Sequence, residues 1–291
     1  MKKAFLHLHL AVALAGATGV LGRLISLNEA LLVWYRLILT VIILLVIRAW
    51  KKQNQQVNFR EAAAITLVGA VVAMHWVAFY GSIKYANVSV ALVCFSTVGF
   101  FSALLDPLLH RRRPDIIEVL LGLIAVAGVF LIFHFDAKYK VGIVFGLVAA
   151  MLAALFTIMN KGLLKKHDPS TVTLYELGGG LLVMTVLLPF YLYSFNLKLS
   201  LPVELDWLWL VILSWCCTVW AFYLSLNALR KISSFTVNLS YNLEPVYGIL
   251  LAFLIFKENQ YLHGSFYLGL LLIIIAVSVQ MWRIYRKTGK R

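Results

Sequence analysis

Between residues 234 and 256 an otherwise apolar run carries Asn238, Tyr241, Asn242, Glu244 and Pro245. At about 100° per helical residue, Asn238, Tyr241 and Glu244 step by about 60° each, and Asn242 falls about 40° to the other side. The four share one broad polar arc. A carboxylate among amides and a phenol, roughly 15 Å from the start of the run, offers a seat for an amine or a proton. Pro245 removes the backbone bond to the Tyr241 carbonyl and leaves that oxygen open to a ligand or water. The competing reading is a kinked helix whose Glu244 is tied to a neighbouring helix.

Other polar side chains sit inside apolar runs. Glu176 lies about one turn into the run 172–194, before Gly178-Gly179-Gly180, where small residues permit close helix approach. It is a candidate gate or proton carrier, or a group that pairs with backbone or snorkels. Arg36 lies about 9 Å in from one end of the run 31–50. It could snorkel, or serve as an outer gate or carboxylate clamp. A direct Arg36–Glu176 bridge is not expected, because the two lie towards opposite faces. His75, Trp76, Phe79 and Tyr80 in the third run correspond to Trp220, Phe222 and Tyr223 in the eighth. Such aromatics either line a cavity around an apolar or cationic solute or pack as ordinary helix contacts. Asn160 could line the mouth of that cavity, or cap and pack.

These residues are positioned by long apolar helices. The chain has 291 residues, 62% hydrophobic and 13% charged, with a mean hydropathy of +0.90. Soluble domains are about 45–50% apolar and about 25% charged. That excludes a soluble enzyme, a disulfide scaffold and a disordered chain. Long unbroken apolar runs also exclude a β-barrel. Ten runs are long enough to span a bilayer: 4–22, 31–50, 61–81, 88–109, 116–134, 141–162, 172–194, 206–227, 234–256 and 265–284. Met1-Lys2-Lys3 before an apolar stretch resembles a signal peptide, but the run extends to Gly22, so an uncleaved first helix is expected.

The net charge of +14 is not a nucleic-acid signature here, since the basic residues sit between the runs. With both termini cytoplasmic, 19 of the 26 Lys and Arg fall on the inner side. Cys94, Cys216 and Cys217 lie in apolar runs without metal spacing, and read as small buried residues. His7 and His9 stand about 200° apart on a helix and cannot share an ion. No HExxH, P-loop, GxGxxG or nucleophile elbow occurs. No metal, cofactor or enzymatic activity is expected.

The two halves resemble each other at offsets of 140–147: Tyr35-Arg36-Leu37 with Tyr175-Glu176-Leu177, Ala78-Phe79-Tyr80 with Ala221-Phe222-Tyr223, Leu104-Leu105 with Leu250-Leu251, and Gly122-Leu123 with Gly269-Leu270. Five helices per half is an odd number, so the second half enters the membrane inverted. This predicts an all-α integral membrane protein of ten helices in a 5+5 inverted repeat, with halves 1–137 and 138–291. That is a carrier architecture with its site near the midplane.

Two stretches carry a family resemblance. Ala153–Leu182, AALFTIMNKGLLKKHDPSTVTLYELGGGLL, resembles the start of the second repeat of EamA-like transporters, in the drug/metabolite transporter superfamily. Asn242–Asn259, NLEPVYGILLAFLIFKEN, resembles the other family signature: a mid-helix proline, small residues after it and an acidic residue past the helix end, here Pro245, Gly248 and Glu258. The first half departs from it, with Gly99 in place of the usual proline and Arg111-Arg112-Arg113 in a loop that is usually partly acidic. The resemblance implies a bacterial inner-membrane carrier of small organic solutes such as amino acids, metabolites or drugs, often an exporter.

The expected partners are a small-molecule substrate and the lipid bilayer, not nucleic acid, with the chain a monomer or homodimer. Alternating access with possible proton coupling through Glu244, then Glu176, is the expected mechanism. The alternative is an integral-membrane enzyme acting on a lipid-borne substrate, which would need clustered catalytic groups that the sequence does not offer.

Overall fold

Polar caps cut the apolar sequence into helices. Asn58, Asn87 and Asp168 accept bonds from backbone N–H groups of the first turns that follow them, and Pro169 opens its helix where no N–H partner is needed. The computed structural model describes residues 2–51, 57–133, 139–241, 243–262 and 264–288. Its helices are α1 (Lys2–Leu24), α2 (Glu29–Lys51), α3 (Phe59–Tyr85), α4 (Val88–Phe95), α5 (Val98–Leu109), α6 (Ile116–Phe133), α7 (Lys140–Leu163), α8 (Pro169–Ser194), α9 (Glu204–Ser214), α10 (Ala221–Lys231), α11 (Ser234–Tyr241), α12 (Glu244–Phe256) and α13 (Gly264–Thr288). A π-helical turn, Trp215–Trp220, joins α9 to α10. Among the described residues there is no strand.

Seven helical segments among the described residues are long and apolar enough to cross a membrane, counting α4–α5 and α9–α10 as one each. Ile116–Leu131, Glu244–Phe256 and Gly264–Ala276 are apolar but shorter. Large apolar side chains such as Leu254, Leu268 and Phe190 point outward, as expected where the surrounding medium is hydrocarbon.

Two of the runs are broken rather than bent. The run 88–109 parts at Ser96 and Thr97, whose hydroxyls donate back to the carbonyls of Val93 (2.6 Å) and Cys94 (2.7 Å). Such back-bonding competes with the helix ladder. The break therefore precedes Gly99, which stands where the family pattern has a proline. The run 234–256 ends as α11 at Tyr241 and restarts as α12 at Glu244. Pro245 thus occupies the first turn of a new helix instead of kinking a continuous one.

The two halves pack reciprocally. Helix α3 lies against α7 and α8, while α9–α10 lies against α1 and α2; α4 faces α12, α5 faces α11, and α6 runs along α13. Close crossings need glycine. A Cβ at Gly69 of α3 would sit 1.9 Å from the Glu176 carbonyl oxygen, and one at Gly180 of α8 would sit 2.8 Å from the Gly69 oxygen. Helix α1 meets α12 in the same way at Gly16 and Gly248. Gly142 and Gly146, the other small-residue pair, abut Ala86 and Cys94 and so serve internal packing.

Candidate functional site

A cavity of ≈ 90 Å³ lies at the centre of the bundle. Drug-sized sites run to about 300–1,000 Å³, so this one is drawn in around its own polar groups. Its deepest charged group is Arg36. Seven residues into α2, or about 10 Å by helical rise, its side chain does not snorkel: Arg36 is 2% exposed. Its Nε donates to Thr218 Oγ1 and its Nη1 to the Tyr80 hydroxyl, both at 2.8 Å. Its guanidinium carbon lies over the Trp76 ring, 3.7 Å from the ring centroid. A guanidinium has five N–H donors. The remaining three have no acceptor among the described residues.

Glu244 opens α12 into the same cavity and is 5% exposed. A carboxylate in the first turn of a helix is favoured by the unpaired N–H groups there. Among the described residues its carboxylate makes neither a hydrogen bond nor a salt bridge, yet it lies close enough to Arg36 to feel its charge. Arg36 and Glu244 thus line one cavity, and no salt bridge joins them. Leaving buried charges this short of partners is costly, and their unmet capacity is what a ligand would fill.

The walls are aromatic. His75, Trp76, Phe79, Phe95, Phe156 and Phe222 line the cavity. His75 contacts the rings of Phe79, Phe95 and Phe156, and its Nδ1 lies 2.8 Å from the Ala149 carbonyl. Tyr80 stands behind Arg36 and holds it. Tyr241 closes one side next to Ser225. The side chain of Asn238 and the whole of Asn242 lie outside the described residues.

Trp220 and Tyr223 depart from their expected place. They are 55% and 45% exposed and face away from the cavity. The π turn resets the helix phase, so Phe222, not Tyr223, points inward. Cys217, read from sequence as merely buried, also lines the cavity, beside Thr18 and Arg36.

Towards the end of the bundle that holds the start of α1, the lining continues to Asn160 on α7 and Leu229 on α10. Asn160 Nδ2 donates to Glu176 Oε1 at 2.9 Å. Both residues are fully buried, and Asn160 Oδ1 and Glu176 Oε2 lack partners. Glu176 therefore neither snorkels nor meets Arg36; it stands behind Asn160 at this end of the cavity.

The opposite end is plugged by buried carboxylates. Glu258 accepts from the N–H groups of Val88 (3.3 Å) and Ser89 (2.9 Å) and the Ser89 hydroxyl (2.5 Å), and forms a salt bridge with Arg23. Asp206 accepts from the Ser26 N–H (2.8 Å) and hydroxyl (2.6 Å). Glu29 accepts from the Tyr191 hydroxyl. Lys257, in the left-handed region at φ 53°, turns the chain so that Glu258 reaches α4. A second hollow of ≈ 650 Å³ between α3, α7 and α8 is lined almost wholly by apolar side chains and opens on the outer flank. It has no charge with which to orient a solute.

An all-helical, multi-pass membrane protein with a charged, aromatic cavity at its centre has the organisation of a membrane transporter. The chain belongs to the EamA-like transporter family, whose pattern it matches twice, over residues 2–134 and 140–282. It is 25% identical to an uncharacterized transporter of Haemophilus influenzae over 51% of this chain, spanning about half (51%) of that relative. It is also 25% identical to the uncharacterized transporter YetK of Bacillus subtilis, over 95% of this chain and 86% of that protein. A protein of known crystal structure shares the fold, with a TM-score of 0.69 over 98% of this chain and 99% of its own, at 16% identity.

Proposed function

We propose that this protein is a secondary carrier that exports small zwitterionic solutes with an apolar or aromatic body, amino acids being the simplest such class. The observation that carries the reading is the pair Arg36 and Glu244, both buried in the lining of one cavity and joined by no salt bridge. Arg36 would take a carboxylate through its free N–H groups, and Glu244 an ammonium. Trp76, Phe95, Phe156 and Phe222 would surround the apolar body.

In this reading the ten runs form two inverted five-helix repeats, 1–137 and 138–291, in a bacterial inner membrane with both termini cytoplasmic. The repeats rock about the broken helices α4–α5 and α11–α12. The cavity reaches towards the end that holds the start of α1, and the plugged end is opposite. With cytoplasmic termini, this is the loading state of an exporter. Without an ATP site, a gradient drives transport. Glu244 exchanges a proton for the substrate amine, and Glu176, reached through Asn160, is the second proton site.

The test is flux in proteoliposomes under an imposed pH gradient, with L-phenylalanine and L-tryptophan as probes. Accumulation against the substrate gradient is expected for the wild type. Glu244→Gln should fold and still exchange substrate, but lose the gradient-driven component. A Glu244→Gln carrier whose transport stays fully pH-dependent would sink the coupling role.

A further inference from the structure

We infer that the π-helical turn Trp215–Trp220 is a positioning device for Arg36, with Thr218 as the residue that aims the guanidinium into the cavity. The inference rests on the proposed role of Arg36 as a carboxylate clamp, and adds a residue on another helix that sets its geometry.

π turns are rare and gather at functional positions. In this one, the Thr218 hydroxyl donates to the Leu213 carbonyl, five residues back, at 2.7 Å. In an α-helix a threonine hydroxyl bonds three or four residues back. The hydroxyl has a single proton, and that proton is committed to Leu213. Thr218 Oγ1 is therefore left as an acceptor only, and Arg36 Nε donates to it at 2.8 Å. Such an oxygen matches a guanidinium and repels a carboxylate. Thr218 is 1% exposed, so no solvent competes for the bond.

The last residue of α9 also holds the backbone of α2. The Ser214 hydroxyl, immediately before the π segment, donates to the Arg36 carbonyl at 3.2 Å. Main chain and side chain of Arg36 are thus held from either side of the junction between α9 and the π turn. Tyr80 on Nη1 and the Trp76 ring under the guanidinium carbon complete its setting. Among the described residues, Nη2 and the second N–H of Nη1 have no acceptor, which leaves donors for a carboxylate. A plain α-helix would carry the Thr218 hydroxyl to a different carbonyl and move this acceptor away from Arg36 Nε.

Two measurements test this, one of which needs no substrate. In protein labelled with ¹⁵N-arginine and held in nanodiscs, the Arg36 Nε–H resonance is assigned by its loss in Arg36→Lys. It should exchange slowly with solvent in the wild type and in Thr218→Ser, and be shifted and rapidly exchanging in Thr218→Val, which keeps the shape and removes the oxygen. In flux assays, Thr218→Val should raise KM for L-phenylalanine by about tenfold, the scale of one lost charged hydrogen bond. KM for L-phenylalaninamide, which has no carboxylate, should change less than about twofold, and Thr218→Ser should recover the wild-type values. An unchanged Nε–H resonance in Thr218→Val overturns the positioning role and leaves the clamp reading intact. A lost resonance with no selective change in KM overturns the clamp reading itself. Equal loss of both substrates with the resonance retained makes Thr218 a packing residue only.

Discussion

Buried charge is treated in opposite ways at the plugged end of the bundle and at its centre. At the plugged end Glu258, Asp206 and Glu29 are each almost inaccessible, and each has partners far off in sequence: Arg23, Val88 and Ser89 for Glu258, Ser26 for Asp206, Tyr191 for Glu29. All of these ties join the two sequence halves. At the centre, among the described residues, three N–H groups of Arg36 have no acceptor and Glu244 makes no bond. Desolvation is equally unfavourable in both places. Where it is offset by protein partners, the groups hold helices together. Where it is not, the groups retain binding capacity for something that arrives. The number of filled hydrogen-bonding positions, more than the presence of charge, separates a latch from a site.

The sharpest way to break the contrast is to remove the central charge. Arg36→Met should lower transport of a carboxylate-bearing solute by 100-fold or more, on the order of 3 kcal/mol of lost charged hydrogen bonding. Its thermal stability should stay close to wild type, because a buried cation with unmet donors is replaced by an apolar chain. A large fall in melting temperature with transport retained would place Arg36 among the structural charges instead.

An intermediate effect is expected from the latch. Glu258→Gln keeps the shape but removes the charge that meets Arg23 and the start of α4. A loss of about 1–3 kcal/mol in stability is expected, read as a lower melting temperature. The plugged end should also open more often. Cys217 provides the reporter, since it lines the cavity while Cys94 is fully buried. In a background with Cys94 and Cys216 replaced by alanine, a membrane-impermeant thiol reagent added on the plugged side should label Cys217 several-fold faster in Glu258→Gln. Labelling at the wild-type rate would show that this end is held by other contacts.

The smallest effect belongs to the residues that the repeat pattern placed in the cavity and the structure turned outward. Trp220→Phe and Tyr223→Phe should each change substrate KM by less than about twofold, whereas Phe222→Ala should raise it by roughly tenfold or more. A large effect at Tyr223 and none at Phe222 would contradict the phase set by the π turn.

The class of the molecule was legible in composition, and Glu244 in its conflict with an apolar run, because a lone carboxylate at membrane depth needs a reason. Glu258 was noticed only as part of a motif; its job required seeing α4 beside α12. The proline break was half legible, since Pro245 marked it but a kink and a restart look alike in sequence. The break at Ser96 and Thr97 was not read, although two adjacent hydroxyl residues in an apolar run were the available signal. Thr218 left no signal, because one threonine in a membrane helix is unremarkable until its partner is known.

The sequence by itself determined that this protein is a helical, multi-pass membrane protein of the EamA-like family, with polar groups inside its apolar runs. The tertiary structure decided which of those groups meet: Arg36 with Thr218 and Tyr80 rather than with the interface, Glu176 with Asn160, Phe222 inward and Tyr223 outward. The reason is physical. In a soluble helix the polar face marks the outside, but in lipid the outer face is as apolar as the core. Apolar periodicity therefore establishes that a helix crosses the membrane without establishing which way its side chains point, and helix packing alone supplies that direction.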